Sequence, residues 1–354
     1  MKLAFQPVAH PERQNKMHLG KQSPDEGSPI TIIDLLHKMG KEDHRKEIIA
    51  GLSSANKYIS SKFFYDAAGS KLFEEITRLP EYYLTRIEIS ILKTIASRIG
   101  RDLKDVDVIE LGSGDCSKIS ILFDAVPAES ITSVRYIPVD VSREAIEKSA
   151  KVLLSSFPGI KIRGAVADFT RQMKLIPAAE KRIFCFFGST IGNFQRERAV
   201  QFISSLSGIM KPCDRLLLGV DMVKRKDLLE DAYNDSRGVT AAFNRNILNV
   251  VNNLIYTDFD PADFEHVAFF NDKRSRIEMH LKALKDLSVS SPCMSAKIAV
   301  ERGETIHTEN SHKFTDRFID EIALASGLEI EDRFADENKW FSVVQFCKRG
   351  KGSR

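Results

Sequence analysis

Residues 106–114, VDVIELGSG, place a short apolar run directly before a turn that contains two glycines. Residues 106–111 have the length and the residue types of a buried strand. Gly112 and Gly114 let the backbone turn tightly and approach a ligand. Ser117 stands where the dinucleotide motif has its third glycine, which favours a nucleoside with an amino-acid tail over a dinucleotide. A purely structural turn is the alternative interpretation.

The chain around this stretch alternates between short apolar runs and amphipathic segments. We predict further strands at residues 134–140, 160–166, 182–187 and 215–221, and helices at residues 87–99, 117–122, 143–157 and 196–210. Ser142 is a plausible N-cap for the helix that starts at residue 143. Strands that alternate with helices predict a parallel, doubly wound sheet, so the predicted fold class is α/β.

Outside this alternation the pattern is less regular. We predict a flexible arm at residues 1–28, a helix at 30–52, helices at 227–254, a loop-rich stretch at 258–272, strands at 275–284, 297–300 and 340–347, a helix at 314–326 and a basic tail at 348–354. Residues 63–83 hold six aromatic side chains together with Gly69 and Pro80. We interpret them as a loop and short helices over a pocket, with a small satellite core as the alternative.

The composition of the 354 residues is that of an ordinary globular protein, with 43% hydrophobic and 29% charged residues. The net charge of +3 is too small and too evenly spread to indicate a nucleic-acid partner. No apolar run approaches the ~20 residues of a membrane span, and no secretory signal is visible. We therefore expect no membrane partner and a cytoplasmic location.

The cysteine and histidine patterns predict no metal site. The five cysteines lie far apart and form no CxxC pair, and the eight histidines form no metal cluster. His307 and His312 are expected to be surface or packing residues. A Walker motif is also missing, which disfavours hydrolysis of nucleoside triphosphates.

Polar residues follow the other predicted strands. Asp140 ends the second strand, where an acid can accept hydrogen bonds from both hydroxyls of a ribose, although a solvated loop acid is the alternative. Asp168 and Phe169 follow the third strand, where they can contact an adenine. Residues 188–193, GSTIGN, follow the fourth strand, where a methyl acceptor lies in such a fold. These features together predict a site for S-adenosylmethionine (SAM), and the missing Asn-Pro-Pro-Tyr/Phe tetrad argues against methylation of bases.

Seven motifs of the chain resemble those of one family. They are FYDAxGS at 64–70, LPEYY at 79–83, ELGSG at 110–114, PVDVS at 138–142, GSTIGN at 188–193, GVTAAFN at 238–244 and TENSxKF at 308–314. The sequence resembles the L-histidine Nα-methyltransferases of ergothioneine biosynthesis and their relatives, over about residues 60–346. The motifs are long and occur in order, so chance does not explain them.

The resemblance implies a Rossmann-like, class I methyltransferase core joined to a second, α+β domain that caps the substrate. Residues 87–223 and 313–347 are then assigned to the SAM-binding core. Residues 29–86 and 224–312 are assigned to the capping domain.

The resemblance also implies roles for individual residues. The SAM-binding residues are Gly112, Lys118, Asp140, Asp168 and Phe169, with Gly114 in the same turn. The substrate-binding residues are Tyr82, Asn193 and Tyr233 at the backbone end of the amino acid, Glu309 and Ser311 at its imidazole, and Gly188 and Met279 along the pocket. Glu309 and Ser311 are two residues apart, so on an extended segment they face the same side. A merely polar strand face is the alternative.

The implied reaction is methyl transfer from SAM to the α-amino group of L-histidine by in-line displacement, without a metal. Catalysis would rest on proximity and alignment, and we expect it to continue to the trimethyl betaine, hercynine. The substrate ammonium must first lose a proton. Tyr65 is a candidate acceptor or relay, loss to water is the rival, and Asn193 is the other candidate catalytic residue. Tyr65 and Tyr82 can surround the ammonium, with a cation–π attraction of ~0.5–2 kcal/mol.

Other functions stay open at this point. The same chemistry can act on another amine, such as a tryptophan derivative, although a bulky indole has no use for Glu309. A non-catalytic SAM-binding regulator is a second alternative. A nicotinamide dehydrogenase is disfavoured by Ser117. We expect a monomer whose partner is a small amino acid.

Overall fold

The computed structural model describes residues 28–36, 41–173 and 181–348. In chain order the strands are β1 (Ile30–Asp34), β2 (Asp107–Leu111), β3 (Arg135–Asp140), β4 (Lys161–Val166), β5 (Arg182–Phe186), β6 (Arg215–Asp221), β7 (Phe264–Asn271), β8 (Arg276–Ala283), β9 (Leu287–Val289), β10 (Ile298–Val300), β11 (Thr305–His312), β12 (Leu328–Ala335) and β13 (Phe341–Lys348). The α-helices are α1 (Lys41–Leu52), α2 (Ala67–Ile76), α3 (Tyr83–Arg101), α4 (Ser117–Asp124), α5 (Arg143–Ser156), α6 (Phe169–Gln172), α7 (Arg196–Ile209), α8 (Lys226–Asp231), α9 (Val239–Ile255) and α10 (Asp316–Ser326).

The main sheet has the order β1-β4-β3-β2-β5-β6-β13-β12. Strands β1 to β6 are mutually parallel, and β13 runs antiparallel to β6 and β12. The direction of winding reverses at β2, which lies between β3 and β5. In open sheets of this kind ligands bind at the carboxyl ends of the strands beside such a reversal. The predicted doubly wound α/β sheet is confirmed.

Helices cover both faces of this sheet because successive strand residues point to opposite sides. Ile109 of β2 is buried in one core, with Phe202 of α7 and Phe318 of α10. Its neighbour Val108 is buried in the other core, with Leu92 of α3. Fully burying an aliphatic side chain of this size contributes about 1.5–3 kcal/mol, so the two cores hold the strand ends in place.

A second, antiparallel sheet with the order β11-β8-β7 lies over the carboxyl edge of the main sheet, together with α2 and α9. Ile277, Met279 and Leu281 of β8 are buried with Phe243 and Ile247 of α9. This sheet and its helices form the cap of the site, and the aromatic core that they share with α3 fixes its position.

Strand β11 contains a bulge. His307 pairs with His280 and Glu309 pairs with Met279, so Thr308 is an extra residue on its strand. Directly opposed residues share a face of the sheet, and His280 and Met279 point to opposite faces. His307 and Glu309 therefore lie on opposite faces, although an unbroken strand would put them on the same one.

The predicted secondary structure differs from the observed one at three main places. Residues 30–34 are not helical but form β1, because the β-branched run ITII pairs with β4 and joins the main sheet rather than the cap. The loop expected at 258–272 contains β7, which pairs with β8 along its whole length. The strand β12 at Leu328–Ala335 was missed.

The predicted N-cap of α5 is confirmed, because Ser142 accepts a hydrogen bond from the Ala145 N–H. Thr315 caps α10 in the same way, through the Phe318 N–H. The arm predicted at 1–28 falls almost entirely outside the described residues, and so does the basic tail after residue 348. Within the described ranges, no helix has the length and apolar character needed to cross a bilayer.

Candidate active site

A cavity of about 990 Å³ lies where the carboxyl ends of β2 to β5 meet the cap. Its lining includes all six predicted SAM-binding residues and four of the predicted substrate or catalytic residues: Gly112, Gly114, Lys118, Asp140, Asp168 and Phe169, and Tyr65, Tyr82, Gly188 and Asn193. Met279, Tyr233, Glu309 and Ser311 do not line this cavity but lie behind it, in the cap. The structure thus gathers the predicted residues in two adjoining groups.

The glycine turn after β2 and the acid at the end of β3 are directly connected. Gly112 and Gly114 have φ values of +69° and +53°, in the left-handed region that favours glycine. The Gly114 N–H donates to one Asp140 oxygen at 3.3 Å, and the Ser142 N–H donates to the other at 2.9 Å. Burial raises the pKa of Asp140, while these backbone donors favour its charged form. The carboxylate is therefore held at the cavity wall with lone pairs to spare.

Asp168 and Phe169 are placed by the short helix α6. One Asp168 oxygen caps this helix by accepting from the Thr170 N–H at 2.9 Å. The Phe169 ring packs edge-on against Phe186 and Phe202, with centroids 5.4 and 5.8 Å away. The ring is thereby fixed at the cavity wall, where it can flank a planar ligand.

Sequence reasoning missed Glu88, although it organises this side of the site. Its buried carboxylate accepts the Gly188 N–H with both oxygens at 2.9 Å and lies 2.7 Å from the Lys118 ammonium. Gly219 leaves room for it, because a Cβ there would come within 2.0 Å of the Glu88 Oε1 atom. The available signal was one acid on the apolar face of α3. The Gly188 N–H already donates to Glu88, so it is not available as a donor to a ligand. Gly188 can still let a ligand approach the backbone closely.

Asn193 ends a short 3₁₀ turn after β5, Thr190–Asn193. Its side chain makes no hydrogen bond to any part of the chain that the structure describes. Both the carbonyl oxygen and the NH2 group of its amide are therefore available to a ligand at the cavity wall. Ser189, in the same turn, has a φ of +55° and accepts the Asp221 N–H at 3.0 Å. This bond ties the turn to the end of β6.

An aromatic wall separates the cavity from the cap. The Tyr65 and Tyr82 rings lie 5.7 and 6.4 Å from Phe73, and Tyr82 lies 6.2 Å from Tyr233. Burial, with a contribution from the Glu309 carboxylate, raises the pKa of Tyr65 well above its ordinary value. The Tyr65 phenol is therefore protonated at neutral pH, which favours a hydrogen-bonding relay over a phenolate base.

Glu309 and Ser311 share the inner face of β11, opposite Met279 and Ile277 of β8. The Tyr233 hydroxyl donates to Ser311 at 2.7 Å. The Glu309 carboxylate has no hydrogen-bond partner among the described residues. Burial raises its pKa to about 7, and the nearby positive charge of Lys313 opposes this rise.

On the outer face of the same sheet, Glu278, His280 and His307 place possible ligand atoms within 4.8 Å of one another. The expectation that the histidines form no such cluster is wrong for this pair, because cross-strand register brings them together and the sequence does not reveal it. The Arg276 Nε–H already donates to Glu278 at 2.9 Å. The neighbouring positive charge disfavours a metal cation there, and the absence of a metal stays a prediction.

A turn with two left-handed glycines, an anchored acid on the next strand and an open crevice beside them define the class of SAM-dependent, Rossmann-like methyltransferases. The sequence matches the family of histidine-specific, SAM-dependent methyltransferases over residues 44–348. The chain belongs to this family.

Curated relatives agree with this assignment. The chain is 38% identical over 304 residues to a histidine N-alpha-methyltransferase of Mycobacterium tuberculosis, covering 86% of this chain and 94% of that protein. It is 42% identical over 270 residues to a histidine N-alpha-methyltransferase of Mycolicibacterium smegmatis, covering 76% and 84%. It is also 30% identical over 243 residues to ergothioneine biosynthesis protein 1 of Schizosaccharomyces pombe, covering 65% of this chain and 31% of that protein.

Proposed function

We propose that this methyltransferase transfers methyl groups from SAM to the α-amino nitrogen of L-histidine and continues to the trimethyl betaine. The observation that carries the choice of substrate is the pair Glu309 and Ser311. A carboxylate with no hydrogen-bond partner among the described residues and a hydroxyl on the same strand face, just behind the cavity, match the two nitrogens of an imidazole. The names of the bacterial relatives favour the same substrate.

The residues around the cavity fit the methyl donor. Asp140 keeps lone pairs free for ribose hydroxyls, Phe169 flanks a planar ring, and the left-handed glycines let the backbone approach. Lys118 contributes a cation at the cavity wall, positioned by Glu88. SAM, when bound, supplies an electrophilic methyl group.

The amino acid would lie between this cavity and β11. Asn193 offers its free amide to the substrate carboxylate, and Tyr82 lines the path between the two groups of residues. In this structure Tyr233 gives its hydroxyl hydrogen to Ser311, so its part is to hold Ser311, and direct contact with the carboxylate would require that hydrogen to turn away. Met279 borders the ring pocket from the opposite strand.

The reaction forms a carbon–nitrogen bond while the carbon–sulfur bond of the donor breaks, so alignment of the amine is the main task of the protein. Each methyl transfer requires the nitrogen to give up one proton first. Because Tyr65 stays protonated, we propose that this proton leaves through water, with the Tyr65 hydroxyl as a hydrogen-bonding relay.

A turnover assay with SAM and each of the twenty amino acids, followed by mass spectrometry, tests the proposal. The expected result is a gain of up to three methyl groups on histidine alone. Methylation of tryptophan or another amino acid would leave the chemistry in place but overturn the assignment of Glu309 and Ser311. A product that stops at one or two methyl groups would overturn the proposed trimethylation only.

We also propose that the enzyme acts as a monomer on this small molecule, without nucleic acid or membrane. The described residues of a single copy supply both the lining of the cavity and the side chains behind it, so the proposed site needs no residue from a second copy. Light scattering after size exclusion tests this, and a stable dimer would contradict it.

A further inference from the structure

The Ser311 hydroxyl is engaged from two sides by hydrogen-bond donors. The Tyr233 hydroxyl donates to its oxygen at 2.7 Å, and the Lys313 ammonium donates to it at 2.9 Å. All three side chains are buried. A serine hydroxyl has two lone pairs and one hydrogen. Both lone pairs are occupied here, so Ser311 can offer a ligand only its hydrogen.

Lys313 fixes this direction, because an ammonium can donate hydrogen bonds but cannot accept them. Its three donors go to Ser311, to Tyr233 at 3.3 Å and to Asp221 at 2.8 Å. Burial lowers the pKa of Lys313, but Asp221 and Tyr233 together outweigh burial and the net direction is upward. The lysine therefore stays charged and remains a donor to Ser311. The hydrogen of the Ser311 hydroxyl is then left for the ligand.

Asp221 also contacts two groups other than Lys313. The Tyr83 hydroxyl donates to it at 2.9 Å, and the Lys224 ammonium forms an ion pair with it. Lys224 lies beside the same carboxylate but donates its other hydrogen bond to Tyr83, at 2.8 Å. Lys224 and Lys313 are thus two buried lysines on one aspartate, and only Lys313 contacts Ser311.

Glu309 has the opposite character. It shares the inner face of β11 with Ser311, and its carboxylate is without a hydrogen-bond partner in the described part of the chain. An ionised carboxylate only accepts hydrogen bonds. Burial raises the pKa of Glu309 to about 7 and the positive charge of Lys313 opposes this rise, so the ionised form prevails above that pH. The two groups that face the ring thus form one donor and one acceptor.

We propose that the pocket selects its substrate by hydrogen-bond polarity, taking a neutral ring with one N–H for Glu309 and one lone pair for Ser311, and that Lys313 is the positioning residue that sets this polarity. The inference rests on the proposed function in taking histidine as the substrate. It goes further by selecting one neutral tautomer and rejecting both imidazolium and indole, which have no ring-nitrogen lone pair to offer.

Three amino acids with rings of similar size separate polarity from shape. Histidine has one donor and one acceptor, 3-(pyrrol-3-yl)alanine has a donor only, and 3-(thiazol-4-yl)alanine has acceptors only. We expect the wild-type kcat/KM for either analogue to be at least about tenfold below that for histidine, because a buried group is left unpaired in each case. Equal kcat/KM values for all three would overturn the proposal.

Lys313→Met is the decisive variant, and Lys224→Met is its matched control. Loss of Lys313 frees a lone pair on Ser311, so the hydroxyl can rotate and turn its hydrogen away from the ring. The pyrrole analogue, whose one N–H pairs with Glu309, then no longer leaves that hydrogen unpaired. We expect the ratio of kcat/KM for histidine to that for the pyrrole analogue to fall by about tenfold or more. Lys224→Met removes a lysine from the same aspartate without touching Ser311, so the ratio should stay near the wild-type value.

If Lys313 has a purely structural role, Lys313→Met should lower kcat/KM for all three substrates in parallel. The ratios of kcat/KM between substrates would then stay unchanged, which would contradict the proposal. Thermal unfolding and SAM binding establish that each variant is folded. If Lys313→Met does not fold, Ser311→Ala provides the test. Loss of the Ser311 donor should lower kcat/KM for histidine toward the value for the pyrrole analogue. If the wild type methylates no histidine, the proposed function itself fails, and that outcome is distinct from equal use of the three rings.

Discussion

The SAM side of the site and the ring-binding side are built in different ways. On the SAM side, most functional residues lie at the end of a parallel strand or a few positions after it, as Gly112 follows β2 and Asp168 follows β4. On the ring side, Ser311 is held by Tyr233 and Lys313, and Lys313 by Asp221 at the end of β6. One half is encoded locally in the chain, and the other depends on contacts between distant segments. The two halves should therefore be separable by mutation.

The largest effect is expected on the SAM side. Asp140→Ala removes the acceptor for the ribose and the anchor of the glycine turn. Each hydrogen bond to a charged group contributes about 1.5–3 kcal/mol, so we expect the Kd for SAM to rise about a hundredfold or more. Isothermal titration calorimetry measures this. Asp124→Ala, at the exposed end of α4, is the control, and equal SAM affinity in both variants would exclude Asp140 from the site.

A somewhat smaller effect is expected from Glu309→Gln, on the ring side. The amide lacks the negative charge that receives the ring N–H, so kcat/KM for histidine should fall about ten- to a hundredfold. SAM affinity should be unchanged, as measured by the same calorimetry. Glu304→Gln, which alters a partly buried ion pair with Lys57 just before β11, is the matched control. A parallel loss of SAM affinity in Glu309→Gln would show that the two sides are not separable.

Glu309→Gln should also change how the free energy of unfolding depends on pH. Burial raises the pKa of Glu309 from 4.5 to about 7. Between these values the folded protein keeps a proton that the unfolded chain has lost, so the wild-type free energy of unfolding falls as pH rises through this window. Glu309→Gln lacks this dependence and should gain about 1–2 kcal/mol over the wild type at pH 8, after allowance for partial exposure.

Urea unfolding at pH 5 and pH 8 measures this difference between the two proteins. The gain from Glu309→Gln should be clearly smaller at pH 5, where the wild-type carboxyl is protonated in the folded state. A gain that is the same at both pH values would mean that Glu309 does not titrate in this range.

The smallest effect is expected where the two sides meet at the surface. Lys148 of α5 lies 3.6 Å from Glu74 of α2, and the lysine side chain is 70% exposed. Exposed ion pairs contribute about 0–1 kcal/mol, so Lys148→Ala should change kcat/KM by less than about twofold. Steady-state kinetics at low and high salt measures this. A loss of tenfold would instead indicate that this ion pair governs how the cap meets the core.

The residues that the sequence assigns to SAM lie together at one cavity because the patterns that indicate them are short-range. The apolar run before Gly112 and the acid at Asp140 can be recognised within a few residues, and the structure places both at one cavity. The N-caps at Ser142 and Thr315 are local for the same reason.

The remaining features depend on contacts that no local pattern records. Glu88 is a single acid on an apolar helix face, and its partner Gly188 lies 100 positions away. Strand β1 was mistaken for helix because its identity depends on pairing with β4. The position of Lys313 between Asp221 and Ser311 likewise follows from tertiary packing. Long-range pairing outweighs local preference in each of these cases.

The bulge at Thr308 shifts the alternation of inward-facing and outward-facing residues along β11 by one position. Before it the even-numbered residue Ile306 faces the core, opposite Leu281, and after it the odd-numbered residues Glu309 and Ser311 do. An insertion or deletion of one residue at this point would exchange the inner and outer faces on one side of the bulge while leaving every side chain in the sequence. The side chains that face the substrate ring can therefore be exchanged by changing the length of the strand. Evolution and protein design can use this route without substituting any residue of the site.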